Sequence, residues 1–93
     1  MALLGSRQHT VADTKRWTVD YTDWLDNAAA IDTIDVQSDS LTCTIGEHTV
    51  DGPTVIFFLV GGSLNERLTV TLTMTDSFGN IKHDTIAFTV VAA

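Results

Sequence analysis

The chain has 93 residues, 44% of them hydrophobic and 8% aromatic, which is enough for one domain with a thin core built on Val, Ile, Leu and Thr. Five Lys and Arg stand against twelve Asp and Glu, and a net charge of -7 argues against a nucleic-acid-binding basic face and against docking on an anionic membrane. The single cysteine, Cys43, excludes an intrachain disulfide and fits folding in a reducing cytoplasm.

Residues 1–14 carry no sustained period and read as an N-terminal arm. Leu3 and Leu4 would be its docking tip on a neighbouring subunit, unless the segment is a disordered terminus. Met1 to Leu4 is too short for a signal peptide, and no apolar run approaches the roughly 20 residues of a spanning helix. From Trp17 the pattern changes: Trp17, Val19 and Tyr21 alternate with Thr18, Asp20 and Thr22, as in a half-buried strand. Trp24, Leu25 and Ala28 to Ala30 make either one helical turn or a tight loop.

Strands then follow in quick succession. Ile31 to Ser38 alternates through Ile34 and Val36, and Leu41 to Ile45 alternates again, with Gly46 and then Asp51–Gly52–Pro53 as turns. Cys43 lies on the Leu41 and Ile45 face, as a buried inert thiol or, alternatively, a reactive or intermolecular one. Thr54 to Val60 is β-branched, aromatic and continuously apolar, which predicts a central strand. After the Gly61–Gly62–Ser63 turn, Leu68, Val70, Leu72 and Met74 alternate with Thr69, Thr71, Thr73 and Thr75. Asp76–Ser77–Phe78–Gly79–Asn80 closes a hairpin, with Gly79 and Asn80 able to take positive φ, and Ile86, Phe88 and Val90 share the inner parity of the return strand. Six to seven short strands predict an all-β, immunoglobulin-like antiparallel β-sandwich over residues 15–93 behind the 1–14 arm.

The residues do not assemble a chemistry. His9, His48 and His83 lack partners at metal-ligand spacing, and exposed surface histidine is the ordinary expectation. Asp20, Asp23, Asp26 and Asp32 lack the alternating ligands and glycine of a calcium loop, so capping and solvation account for them. Ser6, Ser38, Ser40, Ser63 and Ser77 sit in no nucleophile elbow, and Gly61–Gly62–Ser63 has neither the Lys nor the helix of a phosphate-binding loop. No catalytic, cofactor or metal residue is expected. Trp17 has core parity, which leaves Trp24 and Phe78, with Leu3 and Leu4, as the candidate partner contacts.

Two resemblances rest on these residues. Leu68 to Val90 looks like the last two strands of bacterial and phage immunoglobulin-like domains, including the PKD type, although the Trp-x-Phe-Gly-Asp-Gly stretch of that type is absent. Over Lys15 to Val91, the order Asp20–Tyr21, Asp23–Trp24, Asp32–Thr33–Ile34, Gly61–Gly62 and a Thr-rich hairpin is similar to small accessory proteins of tailed phages and prophages. The chain departs from that pattern at Asn65, Glu66 and Leu68 after the Gly-Gly turn, and lacks the Trp that often follows the Asp-Thr-Ile strand.

That likeness implies a non-enzymatic virion protein, made in the host cytoplasm and present in multiple copies or as a homo-oligomer. The first expectation is a capsid decoration or cement protein on the outer face of the major capsid protein. The alternatives are a tail, baseplate or head–tail junction component bound to another virion protein, and a carbohydrate-binding module for host attachment.

Overall fold

Alternation in the sequence becomes two facing sheets in the computed structural model, which describes residues 2–11, 13–25 and 29–92, with side chains from residue 5 onward. The strands are β1 (Ala2–Thr10), β2 (Thr14–Asp20), β3 (Ile31–Ser38), β4 (Cys43–Asp51), β5 (Thr54–Gly61), β6 (Arg67–Asp76) and β7 (Ile81–Val91). One sheet has the order β1-β7-β6-β3 and the other β2-β5-β4. All pairings are antiparallel except β1 with β7.

Side chains of period two from each sheet meet in the middle. Leu68, Val70, Leu72 and Met74 on β6 and Ile86, Phe88 and Val90 on β7 face Val55, Phe57 and Leu59 on β5, all buried. Each such side chain stabilises the fold by about 1.5–3 kcal/mol of transfer free energy. Trp17 on β2 crosses the gap and meets Phe88 edge to face, centroids 5.0 Å apart. Cys43 is fully buried, and burial followed by the charge of Glu66 pushes its thiol pKa up, towards the inert neutral form. Leu41, expected on the same face, lies outside β4 and is 99% exposed.

The β6–β7 hairpin and β3 match the sequence expectation, and β5 is central, between β2 and β4. Its apolar run is nonetheless not buried on both faces: Ile56, Phe58 and Val60 are half-buried on the outer side. Gly46 is no turn. β4 runs on to Asp51, and its register slips between Ile45 and His48, so Gly46 and Glu47 form a bulge. No helix occurs among the described residues; Trp24 and Leu25 lie in a turn whose N–H groups both donate to the Tyr21 carbonyl, and Ala28 lies outside them.

The stretch read as an arm holds β1, paired in parallel with β7 from Ala2 opposite Asp84 to Thr10 opposite Val91. Its backbone pairing is helped by a buried polar anchor that alternation cannot reveal. His9 is fully buried, and its Nε2 donates to the carbonyls of Gly61, at 2.9 Å, and Asp13, at 3.2 Å. It ties the edge of one sheet to the end of β5 in the other, and is not the exposed histidine expected from sequence.

Candidate functional site

Strands of ten or eleven residues span roughly 33–37 Å, so the 42 Å long axis of the molecule is the strand direction. The connections therefore gather at two ends. One end carries the 11–13, 39–42 and 62–66 loops; the other carries the 21–30, 51–53 and 77–80 connections. Each end presents large apolar side chains on loops pinned by a carboxylate.

At the first end, Leu41 is 99% and Leu64 53% exposed. Between them sits Glu66, which accepts hydrogen bonds from the hydroxyls of Ser40 and Thr42 and, at 3.3 Å, from the Ser63 N–H. The Ser40 and Thr42 bonds hold the Glu66 carboxyl below the usual range despite an opposing contribution from burial. Ser40 Oγ also accepts the N–H groups of Thr42 and Cys43. Gly61 leads into this loop with φ 83°, and a Cβ there would stand 2.8 Å from the Thr42 carbonyl oxygen, so the close approach requires glycine.

At the second end, the β6–β7 turn presents Phe78 and Ile81, each 60% exposed. Asp76, itself buried, organises it: Oδ1 accepts the N–H of Phe78 at 2.9 Å and of Asn80 at 2.8 Å, and Oδ2 accepts Asn80 Nδ2 at 3.0 Å. Burial raises the Asp76 pKa, but the hydrogen bonds from Asn80, Phe78 and Gly79 outweigh it and keep the carboxyl low. Gly79 takes the positive φ of 86°, whereas Asn80 contributes donors and no positive φ. Ser77 locks the turn to the chain entering β3, its N–H donating to the Ala30 carbonyl at 2.8 Å and its Oγ accepting the Ala30 N–H at 3.0 Å.

Beneath this end lies an ionic cluster. Asp84 is fully buried, with Lys82 Nζ 2.9 Å from its Oδ1. The same ammonium stands 5.7 Å from the Trp24 ring centroid. Tyr21, almost fully buried, turns its hydroxyl towards Asp84; burial first, then the Asp84 charge, push the phenol pKa well above its ordinary value.

Of the four expected partner contacts, Phe78 is exposed on a fixed turn, whereas Trp24 is half-buried against the core and covers Lys82. Leu3 and Leu4 lie on β1, with side chains outside the described residues. Sequence reasoning missed Leu41, Leu64 and Ile81; the signal available was an apolar residue next to turn formers. Asp20 caps the 20–22 turn, its Oδ1 accepting the Thr22 hydroxyl and N–H, which lowers its pKa. Asp23 and Asp32 are exposed, and Asp26 lies outside the described residues. A surface depression crosses the outer face of β1, β7 and β6, lined by Ser6, Asp39, Arg67, Thr69 and Thr89, and the Asp39 carboxylate in it accepts the Thr69 N–H at 2.8 Å.

The family model for podophage GP4 fiber-tail adaptor protein gp77 matches residues 9–89, from the end of β1 through most of β7. No curated protein matches the chain at a significant level. The family match overturns the expectation of a capsid decoration or cement protein bound to the major capsid protein, because an adaptor between fiber and tail is a tail component, as the second expectation had it. An acidic, small, disulfide-free sandwich suits an accessory module at either place, so composition and fold do not select head over tail.

Proposed function

The chain belongs to the podophage GP4 fiber-tail adaptor protein gp77 family, and from that premise we propose that it is a non-enzymatic bridging module that holds a fiber to the phage tail. As a member of that family it is a virion component and a phage structural accessory protein. The observation that carries the proposal is the extent of the match, residues 9–89, which takes in both pinned loop ends.

The geometry supports a bridge. Leu41 and Leu64 stand at one end of a molecule 42 Å long, Phe78 and Ile81 at the other, and each pair sits on a turn that hydrogen bonds hold in place. A link that bears load between two bodies gains from contacts at opposite ends of a stiff unit. Its fixed loops also lose little conformational freedom on docking. Phe78 is the contact that we retain from the sequence expectation, while Trp24 serves as a strut over Lys82. The strand order supports reading the sandwich as immunoglobulin-like: β2-β5-β4 and β3-β6-β7 follow the B-E-D and C-F-G order of that fold, with β1 added beside β7.

Reconstitution tests the proposal. Isolated fiber and isolated fiberless tail from the encoding phage are mixed with and without this protein and resolved by sedimentation. A fast complex holding all three only when the protein is present is the expected result. Fiber and tail joining equally well without it would overturn the bridging role.

A further inference from the structure

We propose that the end bearing the β6–β7 turn docks on a protein partner whose contact patch is an apolar socket edged by lysine and arginine. The inference rests on the bridging reading above and adds the chemistry of one of its two partners.

The anchor is apolar. Phe78 lies in the turn and Ile81 directly after it, each 60% exposed, on a backbone fixed by Asp76 from within and by Ser77 through Ala30. An aromatic and an aliphatic side chain held proud of a rigid turn form the kind of central anchor that carries most of an interface's energy once a socket excludes water.

The surroundings specify the partner's charge. Asp20, Asp23, Asp32 and Asp51 are all exposed on the connections of this same end. The Thr22 hydroxyl and N–H hold the Asp20 carboxyl low, so its charge persists under mildly acidic conditions. Lys82 does not offset these carboxylates. It is half-buried and neutralises Asp84, 2.9 Å away. Among the described residues the exposed cations stand elsewhere: Lys15, Arg16 and Arg67 at the opposite end, and Arg7 partway along β1. Exposed carboxylates at the same end as the apolar pair favour a cationic rim around a socket and steer its approach, and they repel the same end of a second copy.

The test uses the full chain immobilised against two separate probes, the isolated fiber and the isolated fiberless tail of the encoding phage. Two variants are compared with the wild type: Phe78→Ser with Ile81→Ser, and Asp23→Asn with Asp32→Asn and Asp51→Asn. Unchanged melting temperatures certify that each is folded. The expected result is that the apolar double variant loses affinity at least tenfold for one probe and keeps it for the other. The Asn variant should weaken the same probe, and that binding should also weaken as salt rises from about 50 to about 500 mM. Wild-type affinity of both variants for both probes would overturn this proposal and leave the bridging reading standing. So would loss of self-association, in place of probe binding, in the double variant, because the occupant would then be a second copy. A wild-type chain that binds neither probe would overturn the bridging reading and this proposal with it.

Discussion

Lys82 and Asp84 stand two residues apart on β7, both turned inward, with the ammonium 2.9 Å from a carboxylate that no solvent reaches. Neither carboxylate oxygen completes a well-angled hydrogen bond, so the lysine is the charge that makes burial of Asp84 tolerable. Breaking such a pair from one side strands a charge, whereas replacing both partners with apolar groups does not. Lys82→Ala should therefore destabilise the protein by about 3–5 kcal/mol, and the double variant Lys82→Met with Asp84→Leu should recover most of that loss. Urea denaturation of the set measures it; a double variant as unstable as the sum of the singles would contradict the account.

His9 makes the corresponding link at the other end, between β1 and β5. His9→Ala removes both of its carbonyl contacts and leaves a void in a fully buried position. The expected cost is about 2–4 kcal/mol. Hydrogen exchange locates it: amides of β1 should exchange faster in the variant while those of the β6–β7 hairpin keep their order of protection. Uniform acceleration across the chain would mean that β1 does not depend on this anchor.

The pH dependence has two limbs. Asp20, Glu66 and Asp76 have pKa values lowered in the folded state, so the stability they contribute is complete above their unfolded values, near pH 4, and is lost as pH falls through the folded ones. Tyr21 and Cys43 have raised values, so their contribution is complete below the unfolded pKa and is lost as pH rises beyond it. Stability should be flat between about pH 5 and pH 8 and fall on either side. Tyr21 is the single tyrosine of the chain, so its tyrosinate absorbance reads one site. It should appear together with unfolding; a separate titration near pH 10 in the folded protein would contradict the buried Tyr21–Asp84 arrangement.

Val70 and Phe88 lie on adjacent strands of one sheet, both turned towards the β2-β5-β4 sheet, and are fully or almost fully buried. Val70→Asp or Phe88→Asp places a carboxylate in the core with no partner, a cost that exceeds the net stability of a domain this small. Neither variant should give soluble protein with a cooperative melt, and recovery of one that does would reverse the assigned inner face of the β6–β7 hairpin.

These residues also mark how far the sequence could be read. Thr at every second position from Thr69 to Thr75 reports a half-buried strand directly, because period two places all the side chains of one face in the core. β1 carries no such signal. It is held by backbone bonds to β7 and by one histidine, and neither produces alternation. The Gly46 bulge looked like a turn because glycine serves both purposes, and only the partner strand distinguishes them. The exposed apolar residues at the two ends were half legible: Phe78 stood out as an aromatic in a turn, but Ile81, Leu41 and Leu64 look like core residues until the ends of the strands are known. Trp24 went the other way, since the lysine it covers is 58 residues further on. Head or tail position left no local pattern, and only the family match over residues 9–89 separated them.

The most direct measurement is cryo-electron microscopy of the intact virus that encodes this chain, with the protein traced in the map. The account predicts copies lying between tail and fiber, each touching both, with the Phe78 and Ile81 end seated in one partner and the Leu41 and Leu64 end nearer the other. Copies spread over the head, or copies that contact the tail alone while the fiber attaches elsewhere, would contradict it.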